Sequence, residues 1–141
     1  MSYTENHLVE QPAILLFAEL GWKTVSAMEE VSGPSGTLKR ETKSEVVLAS
    51  RLREALARLN PGLPIDAIAQ ATDELTRDRS AMSLAAANRD VWELVKEGVK
   101  VSVPDRERGG RKTERVRVLD WDNPQANDFL LVSQMTITGE F

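Results

Sequence analysis

The stretch "VWELVKEGVKVSVP", residues 91–104, is where the hydrophobic period of the chain changes. Up to Glu97 the apolar residues Val91, Leu94 and Val95 recur at helical steps. After Gly98 the valines at 99, 101 and 103 alternate with Lys100 and Ser102, the period-two pattern of a strand with one buried face. A helix therefore hands over to a strand at Gly98, a residue suited to a helix C-terminus. Everything before this point reads as mainly helical and everything after it as strands and turns, which makes the chain α+β.

Working back towards the N-terminus, the same helix starts near Ser83, with Leu84 and Ala87 on its inward face and Trp92 at or near the core. A preceding helix runs from about Pro64 to Arg77 with Ile65, Ile68, Ala69, Thr72 and Leu75 on one side. Before it, Thr42-Lys43-Ser44-Glu45 has the form of a capping box. It opens a helix through Val47, Leu48, Leu52, Leu56 and Leu59 that stops at Asn60-Pro61-Gly62. Residues 32–40, SGPSGTLKR, read as a mobile loop. The first helix lies in LVEQPAILLFAEL, residues 8–20, and Pro12 places its start near Gln11 rather than Leu8. Gly21 ends it, and Trp22 to Val25 suits a short strand.

Working forward, the turn-rich PDRERGGRK leads to a second alternating segment at Glu114–Val118, and Asn123-Pro124 makes another turn. The closing segment, Asn127 to Thr138, then alternates Phe129, Leu131, Ser133, Met135 and Ile137 against Leu130, Val132, Gln134 and Thr136. The expected layout is N-terminal helices followed by a three-stranded antiparallel meander, in a single domain over 1–141.

Composition narrows the function classes. There is no cysteine, so neither a disulfide framework nor a thiolate metal site is available. The N-terminus lacks the pattern of a signal peptide, and no apolar run has the length of a membrane span, which points to a cytoplasmic protein. The net charge of −4 is uneven: residues 100–118 hold seven basic and three acidic side chains, between acidic flanks. Arg106, Arg108, Arg111 and Lys112, extended by Arg115 and Arg117, can contact a nucleic-acid backbone by displacing its counterions, although a solvated turn is the simpler reading. No aromatics interleave with them, which argues against base stacking. His7 stands alone near the N-terminus, and Asp120 and Asp122 read as an acidic turn in preference to a metal pair. No complete catalytic set is visible.

Residues 88–139, "NRDVWELVKEGVKVSVPDRERGGRKTERVRVLDWDNPQANDFLLVSQMTITG", resemble the N-terminal region of the restriction (R, HsdR-type) subunit of type I restriction–modification enzymes. The specific parts are an Asn-Arg opening a helix that ends LVKEGVKV, and VRVLDWDNPQANDFLLVSQMTITG with its strand, Asp-aromatic-x-Asn-Pro turn and glutamine-bearing strand. "LVEQPAILLFAELGW", residues 8–22, resembles the first helix of the same family.

The resemblance implies a nuclease of the PD-(D/E)xK class, a restriction-endonuclease-like α/β/α domain, ahead of ATPase motor domains. Such an enzyme translocates DNA with ATP and cuts it with Mg²⁺, in complex with methylation (M) and specificity (S) subunits. On this resemblance Glu10 matches the metal-assisting glutamate, with Glu19 the weaker match. Asp120, Asn123, Asn127, Asp128 and Gln134 match the turn-and-strand motif in a structural role. The family's metal-holding elements, a Pro-Asp followed by a Glu-x-Lys strand, do not occur in that order anywhere in 1–141. The expectation is an inactive N-terminal fragment truncated before its catalytic strands, binding no cofactor itself, whose closing strand is an exposed edge prone to self-association. The alternative is a winged-helix-like, non-enzymatic DNA-binding or protein-docking module that uses the 106–117 hairpin.

Overall fold

The computed structural model describes residues 4–28, 30–42 and 45–138. The chain divides into two compact units, Met1–Leu48 with Asp128–Phe141, and Ala49–Asn127. They are taken separately.

The second unit contains the period change. Helices α2 (Ala49–Leu59), α3 (Ile65–Leu75) and α4 (Leu84–Glu97) are followed by the antiparallel strands β2 (Val99–Pro104) and β3 (Arg111–Val116). Ser83 caps α4, its hydroxyl accepting from the Ala86 amide at 3.2 Å. Gly98 ends α4 with φ 87° and ψ 170°, a conformation essentially reserved for glycine, and a Cβ there would lie 2.7 Å from the Val116 carbonyl oxygen. The three valines of β2 are buried, and with Val116, Leu56, Ala67, Ile68 and Ala71 they form one apolar core.

Several expectations for these helices need correction. α2 starts at Ala49, not at Thr42; Lys43 and Ser44 lie outside the described residues. α3 buries Ala67, Ile68, Ala71 and Thr72, while Ile65, in its first turn, is 88% exposed. Leu84 is likewise exposed. Trp92 is no core residue either: it is half-exposed and meets Trp121 edge to face, with ring centroids 6.2 Å apart. At the C-terminus of α3, Arg79 folds back to donate to the Glu74 carbonyl at 2.8 Å, and its Nε pairs with Asp90 of α4 at 2.6 Å.

The meander is the main correction. β2 and β3 form a two-stranded sheet, and the closing strand β4 (Leu130–Ser133) is not its third member. Side-chain amides occupy the positions a further strand would need. Asn60 accepts from the Arg117 amide and donates to the Arg117 carbonyl, both at 2.8 Å. Gln70 does the same for Ser102, at 3.1 and 2.8 Å. A primary amide carries one acceptor and two donors, so it can satisfy a backbone N–H and C=O in the way a neighbouring peptide would.

In the first unit a π-helical turn, Asn6–Glu10, runs directly into α1 (Gln11–Glu19), which Gly21 terminates with φ 91°. β1 (Lys23–Ser26) pairs with β4, and the pairing is parallel, Lys23 opposite Leu130 and Ser26 opposite Ser133. It is extended at both ends by the Lys23 amide on the Phe129 carbonyl (3.0 Å) and the Ala27 amide on that of Ser133 (2.8 Å). Trp22 lies against Phe129 in a stack (4.9 Å) and against Phe17 edge-on (4.8 Å), fastening α1 to the strand pair. β4 is shorter than the alternation predicts, because Gln134 takes φ 57° and breaks the extended run; Gly139 to Phe141 lie outside the described residues.

The stretch read as a mobile loop is largely exposed but anchors two side chains. Leu38 and Arg40 are buried, and the Arg40 guanidinium makes a two-pronged ion pair with Glu30, one arm at 2.6 Å, while also donating to the carbonyls of Glu45 (2.8 Å) and Thr136 (2.6 Å). Its pKa is raised further above the arginine range, chiefly by the hydrogen bond to Glu30, against the opposing effect of burial. No described helix is long and apolar enough to cross a membrane.

Candidate functional site

Glu10 is the last residue of the π-helical turn. In this turn the Gln11 amide reaches back five residues to the Asn6 carbonyl, a widened geometry that recurs at functional sites. The half-buried Glu10 carboxylate meets the side chain of Gln134, 124 positions later, whose amide nitrogen lies 2.9 Å from Oε1 and 2.8 Å from Oε2. A carboxylate only accepts, so the NH₂ end of Gln134 must face it.

Both residues line a cleft of about 430 Å³ together with Asn6, Gln11, Thr24, Ser26, Met28 and Ser133 among others, and none of the described residues lining it is basic. The cleft thus presents one carboxylate among hydroxyl and amide groups. Glu19, the other candidate, ends α1 and is not among the lining residues. His7 bonds through Nδ1 to the Thr4 hydroxyl at 2.9 Å and is exposed.

A magnesium ion takes oxygen ligands and is held through carboxylates. The described residues do not supply such a set: among them no three His, Cys, Asp or Glu side chains cluster to hold a metal. Glu10 contributes a single carboxylate.

The basic hairpin is less unified than its spacing implies. Cross-strand register puts Lys112 opposite buried Val103 and Arg111 opposite Pro104, so these neighbours point to opposite faces of the sheet. Arg111 donates to the Ser102 hydroxyl and carbonyl at 2.7 and 2.8 Å, and Arg115 to the Glu97 carbonyl at 2.7 Å. Lys112 pairs with Glu114 at 3.5 Å, and Arg117 with Asp120 at 3.2 Å. Arg106 and Arg108, in the turn, make no side-chain hydrogen bond or ion pair among the described residues. That turn is organised by Asp105, whose carboxylate accepts the amides of Glu107 (3.0 Å) and Arg108 (3.1 Å); these bonds, that of Arg108 foremost, hold its pKa below the usual aspartate range.

The Asp120–Asn127 segment is a closed turn. Asp120 Oδ1 accepts the amides of Asp122 and Asn123, and its own backbone exchanges two bonds with the Asn127 side chain at 2.8 and 3.0 Å. Asn127 also donates to the Pro124 carbonyl across the short 3₁₀ turn Pro124–Ala126. Asp120 is therefore committed to backbone groups and Arg117, and Asp128 also has a bonded partner.

Sequence reading missed the Glu30–Arg40 pair, since two charged residues in a Gly/Pro/Ser-rich stretch carry no pattern of burial. It named both Glu10 and Gln134, but gave nothing to join them.

Comparison with known proteins covers nearly the whole chain. The family model described as type I restriction enzyme R protein N terminus matches residues 2–141. The endonuclease subunit of the type I restriction enzyme HindI of Haemophilus influenzae is 30% identical over 129 residues, 92% of this chain and 12% of that protein. A provisionally named MjaIXP type I endonuclease subunit of Methanocaldococcus jannaschii is 25% identical over 134 residues, 94% of this chain and again 12% of its own length. No solved structure matches the chain significantly.

Proposed function

Because this chain belongs to the type I restriction enzyme R protein N-terminus family, we propose that it forms the opening part of the nuclease domain of a restriction subunit, with Glu10 as its metal-assisting carboxylate. The observation that carries this reading is the cleft in which the π-helical turn ahead of α1 and the residue just after β4 bring Glu10 against Gln134, a lone carboxylate without a basic neighbour among the described lining residues. On this reading the domain is of the restriction-endonuclease-like α/β/α class, and its remaining carboxylates and lysine come from sequence other than these 141 residues. The parent enzyme acts on DNA in the cytoplasm, with methylation and specificity subunits, and uses ATP for translocation. Magnesium, when bound, activates the attacking water and stabilises the leaving oxygen. The described residues alone do not form that site.

Glu10→Gln in the assembled restriction complex tests the reading. DNA cleavage should fall by at least tenfold while ATP hydrolysis continues; cleavage at the unaltered rate would overturn it.

A second reading concerns the second unit, in which three helices followed by a hairpin reproduce the order of a winged-helix module. Here Arg106 and Arg108 are the side chains left to meet a phosphate backbone. The double change R106E/R108E should weaken DNA binding and flatten its salt dependence by about one to two counterions; identical binding curves would dismiss it.

A further inference from the structure

Two departures from ordinary backbone geometry converge on one contact. The π-helical turn Asn6–Glu10 widens the chain just where Glu10 leaves it. Immediately after β4, Gln134 adopts φ 57°, a left-handed conformation that costs a non-glycine residue energy and that clusters at functional sites. The two side chains so delivered meet with one amide nitrogen bridging both carboxylate oxygens, at 2.9 and 2.8 Å.

The chemistry of the donor matters. An arginine or lysine here would hold the carboxylate more strongly, but would cancel its charge. A neutral amide fixes the position and orientation of the carboxylate and leaves its full negative charge to whatever enters the cleft. Among the described lining residues no other side chain compensates it: their remaining polar groups are those of Asn6, Gln11, Thr24, Ser26 and Ser133. Gln11 is itself engaged with the Asn6 side-chain oxygen at 3.1 Å, which fixes the rim beside Glu10.

We propose that Gln134 is a positioning residue for Glu10: a neutral hydrogen-bond donor that orients the carboxylate in the cleft without neutralising it. This rests on the reading of Glu10 given above. It moves Gln134 from a structural part of the closing strand to a working part of the site, since β4 ends one residue earlier, at Ser133. Partners that orient a ligating or reacting side chain typically account for about 10–100-fold in activity.

Three variants in the assembled restriction complex separate the possibilities. Gln134→Met removes the donors at similar length and should lower DNA cleavage by about 10–100-fold, with ATP hydrolysis unchanged. Gln134→Lys keeps a donor against Glu10 but adds a positive charge. It should melt at or above the temperature of the unaltered protein and still lose cleavage to a similar degree, a split that a merely structural contact would not give. Glu10→Gln reports on the underlying reading. If it abolishes cleavage while Gln134→Met or Gln134→Lys cuts at the unaltered rate, the positioning role is overturned and the Glu10 reading stands. If Glu10→Gln itself cuts normally, the Glu10 reading falls, and the positioning role with it.

Discussion

The two units of this chain are held together by different physics. The second unit has an apolar core, in which Leu56, Ala67, Ile68, Ala71 and four valines exclude water from a surface shared by helices and hairpin. The first unit has few buried apolar side chains among its described residues, Ala27 and Leu38, and its most enclosed group is the Arg40 guanidinium. Leu8, Leu15, Leu16 and Leu20 are all more than half-exposed. What fixes the first unit is directional: the Glu30–Arg40 ion pair, the Phe17–Trp22–Phe129 contacts, and the amide of Gln134 on Glu10. Apolar burial tolerates adjustment, whereas ion pairs and amide bridges specify orientation. The unit in which an amide meets the Glu10 carboxylate is the one built from directional contacts.

The contrast can be broken most severely at Arg40. Both side chains of its pair with Glu30 are fully enclosed, so Arg40→Ala removes the guanidinium from an enclosed carboxylate, at a cost of about 3–5 kcal/mol. Trp22 is the tryptophan of the first unit, and Trp92 and Trp121 belong to the second. With Trp92 and Trp121 changed to Phe, the fluorescence of Trp22 in urea should report an early unfolding transition for the Arg40 variant. Leu56→Ala attacks the other unit through a cavity, costing about 2–5 kcal/mol. It should shift the transition seen by Trp92 and Trp121 in a chain carrying Trp22→Phe; equal sensitivity of both reporters to either change would erase the distinction between the units.

Gly98→Ala sharpens the comparison at a single backbone position. Its φ of 87° with ψ 170° and the nearby Val116 oxygen make any side chain unfavourable, and a loss of about 1–3 kcal/mol should appear in thermal unfolding of the second unit. The smallest effect belongs to Asp105. Its folded pKa is depressed, so the stability it lends the hairpin turn is present above the ordinary aspartate pKa and is lost as pH falls through the folded value. Asp105→Asn should remove that acid-range dependence, and amide exchange at Glu107 and Arg108 is the measurement that sees it.

The same division explains how much the sequence disclosed. The period change at Gly98, the alternating valines of β2 and the stops at Gly21 and Asn60 all follow from local rules, and the structure contains each of them. The start of α2 did not follow, because Thr42 and Glu45 fit a capping pattern whose helix begins only at Ala49. The expected meander did not form because the closing strand pairs in parallel with β1, while Asn60 meets the backbone just past β3 and Gln70 the outer edge of β2, and nothing local marks an amide for that use. The candidate site was legible as residue types and not as a constellation. Glu10 and Gln134 carry no shared motif, and their meeting depends on a parallel pairing between strands of four residues each. Arg40 and Glu30 were hidden more completely, since charged residues in a loop sequence read as solvated.

The parallel pairing of β1 with β4 also sets an order of events during synthesis. β1 leaves the ribosome early, and its partner follows only after the whole of the second unit has been made, roughly a hundred residues later. At about 5–20 residues per second that is a wait of roughly 5–20 s, long against the folding time of a small helix-rich unit. The second unit, whose strands are neighbours in sequence, can be complete before the first is able to close. The cleft around Glu10 then forms after the second unit, assembled on a nascent protein that already carries a folded insert.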